Sequence, residues 1–271
     1  MLTAVFRAAF SLLAGSTILK KAAAAWGLRR SGGLARRFVA GLTEDDAIEV
    51  ATRLESRGLT TTIDMLGEHV TSSDRALAAA REYVALVGAV TEAGISRHLS
   101  VKLTQIGLEI DRATAIDNLR RIVDAGVEPG VFVCVDMEGS AWTDSTLEAV
   151  RTLWSIGYRN VGVAIQAALR RSAADIEQLN ALGMSVRLVK GAYREHRRVA
   201  FTRREDVERQ FADLMQVLLT DGHQPAIATH DPQLIEQTRQ FASERGISPD
   251  AFEFELLYGI RRDLQRSLAD A

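Results

Sequence analysis

From residue 43 onward the apolar positions alternate between two periods. Stretches with apolar residues three and four apart, as on one face of an α-helix, give way to short unbroken apolar runs that read as buried strands. Thr43 and Asp46 form a capping box, and Ala47, Val50 and Leu54 mark a helical face that Gly58 ends. The β-branched run Thr60 to Met65 predicts the first strand. Leu77, Ala80, Val84 and Val87 line the next helix, Gly94 stops it, and His98 to Leu103 is the second strand. The rhythm then repeats: Gly126 precedes a strand at Val131 to Asp136, Gly157 one at Val161 to Gln166, and Gly183 one at Ser185 to Val189. A helix on Val207, Phe211, Leu214 and Leu218 ends near Gly222, before Pro225 to His230. Gly246 precedes Phe252 to Leu257, and a last helix is predicted over 261–271.

Strands that are apolar on both faces and separated by helices predict a parallel sheet with right-handed crossovers. A doubly wound sheet and a β/α barrel both accommodate that rhythm. No Gly-x-Gly-x-x-Gly follows any strand, which removes the Rossmann mode of dinucleotide binding. The polar residues choose between the folds. Asp64, Lys102, Asp136, Gln166, Arg187, Lys190, Thr229 and His230 lie at the carboxyl ends of six different strands. A barrel gathers such residues into one ring at its C-terminal mouth. The expected fold is therefore α/β, a (β/α)8-type TIM barrel over residues 43–271 with seven strands visible, preceded by an N-terminal helical segment at 1–42.

Composition adds exclusions. The chain has 271 residues, 47% hydrophobic and 25% charged, with a net charge of -2. That suits one large soluble domain and leaves no electrostatic footprint for nucleic acid. Cys134 is the sole cysteine and lies inside an apolar run, so it reads as a packed small hydrophobe in a reducing compartment. Ala8 to Leu19 is mostly apolar, with Arg7 before it and Lys20-Lys21 after it. It is too short for a span of roughly 20 apolar residues. It reads as an Ala-rich helix that covers the domain or touches a partner or membrane surface, with a cleaved signal as the alternative.

The segment Val186 to Tyr193 carries the most chemistry. Arg187 and Lys190 sit within and just after a buried strand, and Gly191 then bares the backbone. Buried cations need anionic partners, and a glycine lets a ligand approach closely. A bound phosphate or carboxylate satisfies that pattern; so does an Arg–carboxylate pair locking the core. Lys102 and Asp136 end neighbouring strands, where an ion pair serves either catalysis or structure. Gln166 offers a donor and an acceptor, as the edge of a heterocycle requires. No His or acidic cluster has metal-ligand spacing, and no Ser or Cys has an evident activating base. A cationic, amide-rich ring of this kind suits an anionic cofactor with redox or proton-transfer chemistry.

Six segments in order resemble the proline dehydrogenase family: Ser100 to Thr104, Val135 to Ser140, Val163 to Ala167, Arg187 to Tyr193, Ala228 to Asp231 and Phe252 to Gly259. The resemblance runs from about Ile63 to Arg261 and is to the monofunctional bacterial type. It implies an FAD-dependent barrel that oxidises L-proline to pyrroline-5-carboxylate and passes electrons to a membrane quinone. On that basis Asp136 and Arg187 are the catalytic pair, and Lys102 holds the proline carboxylate. Leu188, Tyr193, Leu257 and Tyr258 wall the substrate pocket. Met137, Gln166, Arg187, Lys190, Gly191, Ala192, Thr229 and His230 contact FAD. The implied partners are proline, a quinone and a pyrroline-5-carboxylate dehydrogenase, and the implied location is cytoplasmic, or peripheral at the inner membrane.

The sequence departs from the family in two places. Glu255 stands where Gln is usual, and the last strand-helix unit, with two adjacent arginines that clamp the substrate carboxylate, is absent. The expectation is weak proline binding by this chain. Two other readings stay open: a catalytically impaired or truncated flavin-binding barrel, and a barrel aldolase or lyase using Lys102 or Lys190 as a Schiff-base amine.

Overall fold

The computed structural model describes residues 37–270, so the expected N-terminal helix lies outside the described residues. In chain order the elements are α1 (Glu44–Glu55), β1 (Thr62–Asp64), α2 (Ser73–Ala93), β2 (His98–Val101), α3 (Arg112–Ala125), β3 (Phe132–Val135), α4 (Thr143–Ser155), β4 (Val161–Gln166), α5 (Ser172–Leu182), β5 (Val186–Val189), α6 (Arg204–Asp221), β6 (Ala226–Ala228), α7 (Pro232–Arg245), β7 (Glu253–Glu255) and α8 (Arg262–Ala269). The seven strands pair in parallel in strict sequence order, β1 through β7. The sheet curls, with helices outside, into a TIM-type half-barrel open between β1 and β7. No eighth strand occurs among the described residues.

Local signals place the helices as expected. Thr43 Oγ1 accepts from the Asp46 backbone N–H at 3.2 Å, and Asp46 Oδ2 accepts from Thr43 N–H at 3.2 Å, closing the capping box of α1. Asp111 caps α3 through Thr114 N–H, and Asp231 caps α7 through Gln233 N–H with Pro232 beginning the helix. One predicted face rotates. Ala80 and Val87 of α2 are buried, but Val84 is at the surface, and Ala76, Tyr83 and Val90 complete the buried stripe instead. The buried stripe thus mixes alanines with the large side chains of Tyr83, Leu86 and Val90.

The ladder register sorts the strands into two faces. Val163 pairs with Val186, and Ile165 with Leu188, which pairs in turn with Ile227. This layer meets the helices and is fully buried, together with Leu99, Val101, Val133 and Val135. Partners on the other face are Ser100 with Cys134, Cys134 with Gly162, Ala164 with Arg187, and Ala226 with Glu253. The expectation of two apolar faces thus holds only outside. The concave face carries Ser100, Arg187, Glu253 and Glu255, because the open side lets water and polar partners reach it. Several predicted strands also end early. At the tips the backbone turns to other partners: Val70 N–H donates to Thr104 O at 3.0 Å, and Leu257 N–H donates to His230 Nε2 at 2.9 Å. Lys102, His230 and Leu257 therefore sit on loops at the mouth.

Candidate active site

One line of charge crosses the concave face. Lys102 Nζ lies 2.8 Å from Asp64 Oδ2 and 2.8 Å from Asp136 Oδ2. Arg187 Nη1 lies 3.0 Å from Asp136 Oδ1 and donates to Ser100 Oγ at 2.8 Å, while Ser100 Oγ donates to Asp136 Oδ1 at 2.7 Å. On its far side Arg187 Nη2 donates to Glu255 Oε1 at 3.1 Å, and Nε lies 2.5 Å from Glu255 Oε2 but off the line of its N–H. The order Asp64–Lys102–Asp136–Arg187–Glu255 thus joins residues of β1, β5 and β7 and the tips of β2 and β3. Each residue has the inward direction that a two-residue period assigns it.

This geometry corrects one expectation. The ring is not electropositive in itself, since two cations face three carboxylates within it. Both cations are nevertheless held charged. Burial pulls the Lys102 ammonium down, but Asp136 and Asp64 outweigh it and hold its proton well above the ordinary lysine range. Arg187 behaves alike, with burial opposed by the negative groups around it. Burial pushes the Asp64 carboxyl up, against the opposing pull of Lys102. A firmly protonated Lys102 is a poor amine nucleophile, so the geometry disfavours it in the Schiff-base role. Below the ring, Glu253 is pushed up to about 7 by burial and by the neighbouring Glu255. Cys134 is buried and its thiol is pushed up to about 12 by burial, in keeping with a packing role.

Beside this line lies a surface for a flat ligand. Gln166 is buried, and its Nε2 donates to Glu138 O at 2.7 Å and toward Met137 O at 3.4 Å. That turns its Oε1 to Gly191, where an added Cβ would stand 2.8 Å from the oxygen and 3.2 Å from Ala168 Cβ. Gly191 has φ +101°, a conformation that side chains resist. Ala192 and Tyr193 follow, both exposed, and Met137 is buried behind the β3 tip. Glu195 then ties this loop to the β3 loop, accepting from Ser140 N–H at 2.7 Å and Ser140 Oγ at 2.5 Å.

The remaining expected residues divide. Lys190 Nζ is engaged by Glu208 Oε1 at 3.0 Å and Asp231 Oδ2 at 2.8 Å, so its charge already meets two protein carboxylates. Thr229 is buried, with its hydroxyl accepting from Asp231 N–H at 3.1 Å. His230 holds the β7 loop through Leu257 N–H. Leu257 is 65% exposed and Tyr258 half-buried, both at the rim. Leu188 is not brought to the ring: it alternates to the opposite face from Arg187 and lies fully buried against the helices. The same two-residue period that assigns Leu188 outward also assigns Ser100, Glu253 and Glu255 inward, beside Lys102 and Arg187. It was the signal available for these missed residues.

Among the described residues no group of three His, Cys, Asp or Glu side chains is placed to hold a metal, and no helix is long and apolar enough to cross a membrane. A shallow polar groove of about 440 Å³, lined by Asp144, Glu148, Arg151 and Arg171 among others, lies on the outer helical layer and contains none of the ring residues.

Comparison with known proteins follows the same residues. The family model for proline dehydrogenase matches residues 47–271. Proline dehydrogenase 2 of Bacillus subtilis (strain 168) is 35% identical over 259 residues, covering 96% of this chain and 84% of the relative. The proline dehydrogenase of Deinococcus radiodurans is 39% identical over 240 residues, covering 87% and 77%. Among solved structures, proline utilization A (PutA) from Bdellovibrio bacteriovorus inactivated by N-propargylglycine superposes with a TM-score of 0.82 at 26% identity. That match covers 88% of this chain but only 30% of the PutA chain.

Proposed function

The chain belongs to the proline dehydrogenase family and is an enzyme of the flavin oxidoreductase kind, and we propose that it oxidises L-proline to pyrroline-5-carboxylate with FAD as its cofactor. One observation carries the reading: on one concave face Asp136 lies within 3.0 Å of both Lys102 and Arg187, the three coming from or just past separate strands.

The residues present fit a flavin. The bare Gly191 backbone beside the Gln166 amide oxygen leaves a cradle that any Cβ would fill. Gln166, its hydrogens committed to the protein, offers that oxygen to a ring N–H, with Met137 behind it. We assign the onward FAD contacts to Lys190, Ala192, Thr229 and His230; Lys190 is paired with Asp231, the residue that caps α7. Bound FAD would take up a hydride from the proline ring carbon next to nitrogen. The protein's own part is to bind, orient and polarise. Lys102 exchanges Asp64 for the proline carboxylate, since Asp64 is the more exposed of its two carboxylate partners. Asp136 keeps Lys102 and Arg187 aligned, and the fixed Arg187 guanidinium stabilises negative charge that develops beside it. Tyr193, Leu257 and Tyr258 stand at the rim where a small substrate enters.

Downstream, electrons pass to a membrane quinone and the product to a pyrroline-5-carboxylate dehydrogenase, with the enzyme in the cytoplasm or peripheral at the inner membrane. The test is a visible spectrum of the purified chain after incubation with FAD, followed by proline and a dye acceptor. Flavin absorbance that bleaches with proline, and dye reduction, are expected. N-propargylglycine, the named inactivator of the Bdellovibrio relative, should abolish turnover irreversibly. A coloured protein that proline cannot bleach would favour the impaired flavin barrel. A colourless protein trapped by borohydride at Lys102 or Lys190 would favour the lyase.

A further inference from the structure

Two residues past each half of the Lys102–Asp136 pair, a second contact replaces the ladder. The β2–β3 ladder ends at Val101 and Val135, and its last backbone bond runs from Asp136 N–H to Val101 O at 2.9 Å. Beyond it the tips separate, and Glu138 reaches back from the β3 loop. Its Oε2 accepts from Thr104 N–H at 3.1 Å, and its Oε1 accepts from Thr104 Oγ1 at 2.5 Å. Glu138 is 2% exposed and Thr104 0%. Among the described residues no cation lies within 4 Å of the Glu138 carboxylate, and this buried group is held by two hydrogen bonds from Thr104. Such a group is costly to keep unless its geometry serves something.

Both members also reach outward. Thr104 Oγ1 accepts from His69 N–H at 3.2 Å, and Thr104 O accepts from Val70 N–H at 3.0 Å, which ties in the loop that follows Asp64. Glu138 O is the acceptor that fixes Gln166. The belt His69–Thr104–Glu138–Gln166 therefore links the loops after β1, β2 and β3 to the end of β4, behind the row Asp64–Lys102–Asp136.

We propose that Glu138, acting through Thr104, is a positioning residue: it sets the spacing of the β2 and β3 tips so that Lys102 and Asp136 present their charges together. The inference rests on the reading of those two residues as the substrate-facing pair. Gln at 138 keeps the side-chain volume but not the charge, and can accept only one of the two Thr104 donors, so the charge-assisted clamp on the tips is weakened.

The experiment compares Glu138→Gln, Thr104→Val, Thr104→Ser and the double variant Glu138→Gln/Thr104→Val with wild type, all as holoenzyme. The readouts are proline kinetics, thermal midpoint, and the rate at which an N-hydroxysuccinimide ester acylates Lys102, followed by peptide mass spectrometry. Glu138→Gln and Thr104→Val should each lower kcat/KM about tenfold or more, as sub-ångström misplacement does, and should accelerate Lys102 acylation at least about threefold. Thermal midpoints should stay within about 5 °C of wild type. Thr104→Ser, which keeps both donors, should behave as wild type, and the double variant should be no worse than the worse single one. Unchanged kinetics and acylation, or losses that simply add in the double variant, overturn the inference. If Glu138→Gln fails to fold, Thr104→Val carries the same decision. A wild-type chain that does not oxidise proline defeats the functional reading instead, while the acylation rates still judge the positioning role.

Discussion

Replacing Asp136 with Asn tests how the charge row is balanced. Asp136 receives three bonds, from Lys102 at 2.8 Å, Arg187 at 3.0 Å and Ser100 at 2.7 Å. Removing one partner of a buried ion pair ordinarily costs about 3–5 kcal/mol, because it strands the other charge. Here neither cation is stranded. Lys102 keeps Asp64 and Arg187 keeps Glu255, and the variant leaves two cations facing two carboxylates where wild type has three. The Asn oxygen can still accept from Ser100 and Arg187, so the net loss reduces to the Lys102 bond, offset by relieved repulsion between carboxylates. The expected cost is about 1–2 kcal/mol of unfolding free energy, or roughly 3–7 °C in the thermal midpoint. Catalysis should suffer far more. With Lys102 drawn to Asp64, kcat/KM for proline should fall at least about a hundredfold, equivalent to about 2.7 kcal/mol of transition-state stabilisation. Guanidinium chloride unfolding and dye-coupled proline oxidation on one preparation supply both numbers. A stability loss above about 4 kcal/mol would show that Asp136 is the keystone of a buried charge network rather than one of three shared partners. Activity within a factor of about three of wild type would remove it from the site.

Three other outcomes follow from the same geometry. Glu253 is raised to about 7 in the folded state, above its unfolded value, so the folded chain binds the extra proton. Its contribution to stability is present at acid pH and lost as pH rises from the unfolded carboxylate range through about 7. Glu253→Gln should therefore gain about 1–3 kcal/mol relative to wild type at pH 8 and little at pH 4.5, and equal gains at both would refute the assignment. Gly191→Ala places a Cβ 2.8 Å from Gln166 Oε1 at φ +101°, so it should cost about 1–2 kcal/mol and sharply reduce the flavin-to-protein ratio of the purified chain. Cys134 is 4% exposed with its thiol pushed up to about 12, so it should resist a disulfide reagent in native buffer and react fully in denaturant. Rapid native labelling would show the concave face to be more open than described.

Much of the architecture was legible because its causes are local. The capping box at Thr43, Asp111 before α3, Asp231-Pro232 before α7 and the glycines after the helices act over three or four residues, and each element stands within a few positions of its expected place. The half of the site that was anticipated, Lys102, Asp136, Gln166 and Arg187, shares one property: each is a polar residue at or near the end of an otherwise apolar strand. Residues whose meaning depends on a distant partner were missed. Glu138 and Thr104 are 34 positions apart, and Arg187 meets Ser100 across 87 and Glu255 across 68. Nothing in the chain near Glu138 announces that it will be buried.

The sequence by itself determined the alternation of helices and strands, their parallel order, and the side of each strand tip on which charge would stand, because capping, periodicity and apolar burial are settled by near neighbours. Only the tertiary structure decided that Glu138 is buried against Thr104, that Lys190 already meets two carboxylates, and that the ring is balanced rather than positive. Those outcomes depend on which strands lie side by side when the sheet curls, and on the sum of charges it brings within a few ångströms.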